Sequence, residues 1–220
     1  QALSYKVNDD HVKVIIKDGS IKADRVVLAC NGYLGNLEKS LTSKILPMNN
    51  YIVATEALDD QTVKKINPRD IAFADSRFVV NYFRLSADKR LLFGGGENYS
   101  QELSNNIIPI VTKPLEKIYP FLKGVKIDYA WGGKLAITMN RLPFFTTLNN
   151  EKVISAQGYS GQGVALASYS GKLVSEKITG NGETFDIMAK IPRQSFPGGR
   201  FLRNPSMKLG MLYYSLMDRL

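Results

Sequence analysis

Residues 152–178, KVISAQGYSGQGVALASYSGKLVSEKI, constrain this chain more than any other stretch. The pattern predicts a short strand (Val153–Ala156), a turn carrying Gly158, Gly161 and Gly163, and then a helix. Glycines in such a turn allow positive φ and let a ligand come close to the main chain. Beyond the turn, Val164, Ala167, Gly171, Val174 and Ile178 recur at helical spacing, so one apolar and partly small face is expected to lie against a sheet. The first N–H groups of that helix lack intrahelical partners, and the helix dipole adds partial positive charge there. The result is a seat for an anionic or electron-rich ligand. No Lys-Ser/Thr pair follows Gly163, which argues against a nucleoside-triphosphate loop, and the spacing also fails G-x-G-x-x-G. Taken alone, the stretch also fits an ordinary strand–turn–helix corner.

The remainder alternates between strand and helix signals. Tyr5, Val7, Val12, Val14 and Ile16 flank a polar turn at Asn8–Asp10 and predict a hairpin. Arg25–Cys30 is a continuous apolar run, the pattern of a strand buried on both faces. It ends at Ala29-Cys30-Asn31-Gly32, a small turn that would let the backbone approach a ligand. Residues 45–58 predict a strand with Tyr51, Val53 and Thr55 on one side. Asp59–Ile66 predicts a short helix capped by Asp59 or Asp60 and ended by Pro68. Phe78–Leu85 and Leu91–Gly95 predict two strands joined across Ser86–Lys89. Asn106–Tyr119 predicts a helix that Pro114 kinks or divides, and Val125–Ile137 another strand before a turn at Asn140–Pro143. In the tail, Leu209, Leu212, Tyr213 and Leu216 share a helical face within Met207–Leu220, read as a packing arm.

Several function classes are excluded or disfavoured. Lys and Arg outnumber Asp and Glu by 29 to 20, a net charge of +9 that could serve nucleic acid or acidic ligands. The basic residues are scattered, however, so a solvated surface is the better reading and no nucleic acid is expected as a partner. No apolar run approaches the ~20 residues that span a bilayer, so no membrane partner is expected. The start QALSYKVNDD lacks the basic and apolar segments of a signal peptide, and a single cysteine, Cys30, allows no internal disulfide. A cytoplasmic location is the expectation. His11 is the only histidine and is placed in the hairpin, exposed, so neither a Ser-His-Asp triad nor a histidine-rich metal site can be built. A chain so poor in acid–base side chains makes sense as an enzyme if a cofactor performs the difficult step.

GYSGQGV after an apolar strand resembles the late flavin-contacting turn of the FAD-dependent amine and amino-acid oxidase family, which includes D-amino-acid, glycine and sarcosine oxidases. ADRVVLACNGYLG (Ala23–Gly35), YFRLSADKRLLFGGG (Tyr82–Gly96), KIDYAWGGKLAITMNRLP (Lys126–Pro143) and FPGGRFLRNP (Phe196–Pro205) follow in the family's order, so the resemblance spans nearly the whole chain. It implies an α+β chain: a mostly antiparallel substrate-domain sheet with helices, plus C-terminal remnants of a doubly wound α/β FAD-binding domain. On this reading residues 1–36 close the FAD-binding domain, 37–148 form the substrate domain, 149–182 return to the FAD-binding domain, and 183–220 form a C-terminal arm. The family's glycine-rich dinucleotide fingerprint belongs further upstream. The chain is therefore expected to be the C-terminal portion of a longer enzyme, inactive alone and weak in FAD binding. Its expected partners are that N-terminal FAD-binding segment and a second copy of itself, paired through the exposed edge at Val26–Leu28.

The resemblance further implies oxidation of a C–N bond of an amine or amino acid to an imine that water hydrolyses. A gamma-glutamylputrescine-like amine is the favoured substrate. Glycine, sarcosine or a D-amino acid is an alternative, and a cofactor-free binding module with a basic surface is a rival from another class. Cofactor contacts are expected from Ala29, Asn31 and Gly32, and from Gly158, Tyr159, Ser160, Gly161, Gln162, Gly163 and Val164. N–H groups around Gly161–Val164 suit the negative charge that reduction places on the flavin's N1–C2=O edge. Substrate contacts are expected from Tyr51, Tyr82, Arg84, Trp131 and Arg141, with an arginine gripping a carboxylate bidentately. Core packing for the aromatics and surface charge for the arginines are the plain alternatives. Gly94–Gly96 should permit close approach to ring or substrate, or mark a bulge. Some sarcosine oxidase relatives carry a lysine for oxygen on the equivalent strand; RLLFGGG has leucine and phenylalanine there, which leaves the electron acceptor open.

Overall fold

The structure, a computed structural model, describes residues 1–77, 80–98 and 102–199, together with 202, 205, 206, 209, 210 and 213 of the tail. The strands in chain order are β1 (Ala2–Val7), β2 (Val12–Ile16), β3 (Gly19–Ala23), β4 (Val26–Leu28), β5 (Leu46–Thr55), β6 (Phe73–Ala74), β7 (Tyr82–Leu85), β8 (Leu91–Asn98), β9 (Ile127–Ile137), β10 (Phe144–Leu148) and β11 (Val153–Gln157). The helices are α1 (Lys39–Thr42), α2 (Asp60–Ile66), α3 (Ile108–Ile118), α4 (Gly163–Ile178) and α5 (Glu183–Ala189). They belong to two units, Gln1–Pro47 with Leu135–Asn204 and Met48–Lys134 with Pro205–Leu220.

The first unit contains two small sheets. One is the antiparallel meander β1-β2-β3; the expected hairpin is there, but the chain after Gly19 adds a third strand that its polar sequence concealed. The other has the order β10-β11-β4, with β11 antiparallel to β10 and parallel to β4. All five residues of β11 are buried, because the sheet is covered on both sides at that strand. On one side Val153 joins Leu28, Leu41, Ile45, Ala136 and Phe144. On the other, Ile154 and Ala156 meet Phe145, Leu173, Val174 and Phe185, with Phe145 and Phe185 in an edge-to-face contact at 5.4 Å. Such a pair contributes roughly 0.5–1.5 kcal/mol beyond its area burial.

Two expectations are corrected in this unit. β4 is not buried on both faces: among the described residues it pairs only with β11, and Val27 is 42% exposed while Leu28 is buried. Of the five residues expected on the apolar face of α4, one, Val174, packs. Ser170, Leu173 and Val174 are buried, whereas Val164 is 98% exposed and Gly171 has open space around it. Each residue advances ~100° around a helix, so this stripe is a neighbour of the one the spacing suggested. The compact unit itself extends beyond residue 36 and resumes before 149. Residues 37–47 and 135–148 belong here because Leu41, Ile45, Ala136 and Phe144 share one core with Leu28. After residue 182, Phe185 on α5 is buried in the second core. The helix expected at Met207–Leu220 lies outside the described residues.

The second unit is built on the sheet β6-β7-β8-β5-β9. β5 and β7 each run antiparallel to β8, so that Ile52 and Tyr82 both stand opposite Gly94. Alternation sends Tyr51, Val53, Phe83, Leu85, Leu91 and Phe93 to the face that α2 and α3 cover with Ile66, Val111 and Leu115. Phe73, Phe83 and Phe93 stack across three strands at 5.1 and 5.5 Å. The α2 boundary falls where the sequence placed it, with the Asp59 carboxylate accepting from the Thr62 amide at 2.8 Å. α3 runs through Pro114. The opposite face of the sheet carries Asn50, Ile52, Tyr82, Arg84 and Gly94. The strand expected from Phe78 is described only from Tyr82. Among the described residues, no helix is long and apolar enough to cross a membrane.

Candidate functional site

In the first unit the two turns expected to serve a cofactor are bonded to each other. The Gly158 amide donates to Asn31 Oδ1 at 3.1 Å, linking the end of β11 to the end of β4 across 127 residues of sequence. Their parallel pairing makes this possible, because parallel strands end on the same side of a sheet. Asn31 adopts φ +48, a left-handed value that asparagine tolerates better than most residues. Gly158 at φ +77 is tightly enclosed: an added Cβ would lie 2.7 Å from Thr138 Cγ2 and 3.3 Å from Phe144 Cβ. Ser160, also left-handed at φ +51, donates its amide to the Ala136 carbonyl at 2.9 Å, and its Oγ accepts from the Thr138 amide at 3.2 Å. The turn is thus pinned from three sides.

Its outer part differs. Gly161 has φ +97 with no atom within 4 Å of an added Cβ. Gln162 gives α4 no side-chain cap, and the next residues, Gly163 and Val164, leave the first helical turn open to solvent. A sixteen-residue helix thereby presents uncapped N–H groups beside a glycine that leaves room for a ligand.

The ten expected cofactor residues divide accordingly. Gly161, Gln162 and Val164 are exposed on the turn, as is Ala29 at the end of β4. Gly32, Gly158 and Tyr159 are buried. The Tyr159 hydroxyl donates to the Ala156 carbonyl at 3.0 Å, and its ring lies 3.6 Å from where a Gly163 Cβ would stand, so this side chain packs inside the turn. Asn31 uses its carbonyl oxygen on Gly158. Nothing in the sequence of the 136–138 segment signalled that it would hold Ser160.

Cys30 precedes Asn31, and burial pushes its thiol above the ordinary range, which disfavours a thiolate at neutral pH. His11 is half-buried rather than exposed, because its ring nitrogens engage Asp10 and Asn8 within the hairpin turn. Among the described residues, no cluster of His, Cys, Asp or Glu could hold a metal ion.

Four of the five expected substrate residues lie in the second unit, where they fall on both faces of its sheet. Tyr82 and Arg84 share the open face. The Tyr82 ring lies over Gly94, where an added Cβ would stand 2.2 Å from it, and the hydroxyl bonds Asn50 Oδ1. The space left by Gly94 is therefore filled by Tyr82 rather than left for a ligand. Asn50, which sequence reasoning passed over, fixes that ring; no local signal marks it, since the pairing depends on strand register. Trp131 is exposed, next to a Gly132 whose missing side chain accommodates the Tyr51 ring. Tyr51 itself is fully buried on the covered face, its hydroxyl accepting from the Ser104 amide at 2.9 Å. Arg141 belongs to the first unit, exposed in the turn after β9 with φ +61.

Comparison with known proteins shows what these parts belong to. Residues 1–177 match the model of a family described as FAD dependent oxidoreductase. The chain is 39% identical to the gamma-glutamylputrescine oxidoreductase of Escherichia coli K12 over 203 residues, 92% of this chain and 47% of that protein. It is 40% identical to a probable oxidoreductase OrdL of Rhizobium meliloti over 219 residues, all of this chain and 50% of the relative. The chain spans about half the length of the curated relatives it matches. Among solved structures, glycine oxidase from Bacillus cereus superposes with a TM-score of 0.68 at 17% identity, over 88% of this chain and 53% of that one. L-proline dehydrogenase from P. horikoshii gives 0.62 at 23% identity, over 81% and 49%. The α+β fold with its open antiparallel sheet is shared with these solved structures, and the chain belongs to the FAD-dependent oxidoreductase family.

Proposed function

We propose that this chain supplies the cofactor-edge turn and the substrate-facing sheet of an FAD-dependent enzyme that oxidises an amine beside its nitrogen, with a gamma-glutamylputrescine-like substrate favoured. The observation that carries the reading is the open, uncapped start of α4 beside Gly161, held in place by the Asn31–Gly158 bond. These residues fit FAD. The backbone N–H groups offer donors to an electron-rich ring edge, and the turn is pinned so that they need no reorganisation. FAD would supply acceptance of an electron pair from the substrate's C–N unit, and the resulting imine would be hydrolysed by water to a carbonyl compound and an amine.

The chain's own residues would orient and exclude. Residues 161–164 would hold the electron-rich edge of the cofactor, and Ala29 lines the parallel strand end beside it. In the second unit Tyr82 and Trp131 offer aromatic surface to the aliphatic part of a substrate, and Arg84 offers a fork for a carboxylate. The 39% identity to a gamma-glutamylputrescine oxidoreductase supports the substrate class.

The test is made on the 220-residue chain, where FAD uptake is expected to be weak. Backbone amide shifts are followed by NMR while FAD is added to millimolar levels. Perturbations should concentrate at 29–32 and 158–164 and should be lost in Gly161→Val, whose Cβ branch would occupy the open space at a left-handed φ. Shifts scattered over the basic surface, and unchanged in the variant, would refute the assignment.

A further inference from the structure

Asparagine is followed by glycine twice in this chain, at Asn31-Gly32 and Asn181-Gly182, and both pairs lie in the first unit. Such a pair carries its own chemistry. The glycine amide nitrogen can attack the asparagine side-chain carbonyl carbon, because glycine has no side chain to shield it and its backbone turns freely. A new N–Cγ bond closes a five-membered succinimide, the Cγ–Nδ2 bond breaks, and ammonia leaves with the glycine amide hydrogen. Water then opens the ring. Addition at Cγ leaves aspartate. Addition at the main-chain carbonyl leaves isoaspartate, in which the chain runs through the side chain and is one carbon longer.

The fold holds the two pairs differently. Asn31 has φ +48 and opens a single-turn helix, Asn31–Tyr33, with its carbonyl accepting from the Leu34 amide at 3.4 Å. Its Oδ1 accepts from the Gly158 amide at 3.1 Å, and Gly32 is buried. For its side chain to turn onto the Gly32 nitrogen, the Gly158 bond must break and a buried donor must go unpaired. Asn181 lies in the link between α4 and α5. Its amide donates to the Glu176 carbonyl at 2.8 Å, which fastens the link on that side. Its side chain is exposed, and among the described residues neither that side chain nor the Gly182 amide has a hydrogen-bond partner. Nucleophile and carbonyl are both free there.

We propose that Asn181 is a site of spontaneous deamidation in the folded chain, that the bond to Gly158 protects Asn31 from the same reaction, and that the isoaspartyl product loosens α5. Gly182 is packed on Lys177, where an added Cβ would lie 3.1 Å from the lysine Cα. Immediately beyond it, Phe185 is buried in the second core and Asp186 lies 3.0 Å from Lys177 Nζ. A link one carbon longer cannot keep all three contacts. Aspartate has the original backbone length and adds only an exposed charge. The inference is independent of the oxidoreductase reading.

The 220-residue chain is aged in mildly alkaline buffer, folded and, in parallel, in guanidinium chloride. Peptides containing residues 31 and 181 are resolved by mass spectrometry, and isoaspartate is counted by enzymatic methylation. In the folded chain Asn181 should convert several-fold faster than Asn31. In denaturant the two rates should converge, since both residues are then equally free to cyclise. The aged chain should unfold at a lower temperature than the fresh one, whereas Asn181→Asp should unfold with the fresh wild type and Asn181→Gln should keep its midpoint on ageing. Equal rates in the folded chain, or faster conversion at Asn31, would overturn the assignment of the site. An isoaspartate-rich chain that unfolds with the fresh one would overturn the effect on α5.

Discussion

The side-chain oxygen of Asn31 accepts the amide hydrogen of Gly158 at 3.1 Å, and this one bond ties together the ends of β4 and β11, where the proposed cofactor edge lies. The donor is buried and belongs to a glycine whose surroundings leave no room for a side chain. Losing the acceptor would strand a buried N–H, at a cost of about 1–3 kcal/mol. Asn31→Gly keeps the left-handed φ and removes only the acceptor, whereas Asn31→Ala also pays the left-handed penalty of about 1–2 kcal/mol. Denaturant midpoints should fall in the order wild type, Asn31→Gly, Asn31→Ala. Equal midpoints for wild type and Asn31→Gly would show that the bond contributes nothing to stability.

Gly94 and Tyr82 make a second testable pair. Because the tyrosine ring occupies the place of a Gly94 side chain, Gly94→Ala must push the ring away and break its bond to Asn50. Overpacking of this kind costs typically about 1–3 kcal/mol. Tyr82→Ala empties the same space, so Gly94→Ala should cost much less in that background. A double-mutant cycle in unfolding free energy should therefore be strongly non-additive. Additive effects would mean that the ring does not rest on Gly94.

What the sequence revealed and what it concealed follow from the range of the interactions. Asp59 as a cap, the alternation of Tyr51 and Val53, and the glycine turn before α4 were legible because each is specified within a few residues. β3 and β10 were not. Gly19–Ala23 is too polar to announce a strand, and it forms one only because β2 offers an edge. Phe144–Leu148 looked like the exit of a turn until it paired with β11. The stripe of α4 that packs was misjudged because Ser170, a polar residue, is buried within it. Tyr51 looked like a ligand contact, yet which strand face receives the helices is a tertiary fact. Family membership was readable because it rests on several motifs in order, whereas individual site residues depend on register and burial.

Lys177 gives a pH prediction. Its ammonium is held by Glu151 at 2.6 Å and by Asp186 at 3.0 Å, while its stem fills the space left by Gly182. Hydrogen bonds to Glu151, then to Asp186, raise its pKa above the ordinary lysine value. A raised folded pKa gives stability that is fully present below the unfolded value, ~10.4, and is lost as pH climbs through the folded value. Lys177→Met should unfold at a lower temperature than wild type at pH 7, and the gap should narrow as pH rises above ~10.4. Both carboxylates are about half exposed, so added salt should shrink the gap as well. A gap unchanged from pH 7 to the alkaline limit would assign the effect of Lys177 to its stem alone.

The final prediction separates the two candidate arginines in the enzyme form that turns over. Arg84 stands on the open face of β7 beside Tyr82 and spends its Nε on the Leu85 carbonyl at 3.2 Å, which leaves the terminal nitrogens as the recognition fork. Arg141 is held in a turn at φ +61, and its backbone amide donates to the Thr138 carbonyl, so its first role is in shaping that turn. Lysine preserves the charge of either residue and loses the planar pair of donors. With a substrate bearing a carboxylate, Arg84→Lys should raise KM on the order of tenfold, equivalent to ~1.4 kcal/mol, with kcat changed less. Arg141→Lys keeps that backbone bond and should leave both KM and the unfolding midpoint near wild type. If Arg141→Lys alone raised KM, carboxylate recognition would pass to the turn. Wild-type KM in both variants would leave a carboxylate-bearing substrate without a residue to recognise it, and an uncharged amine would become the better assignment.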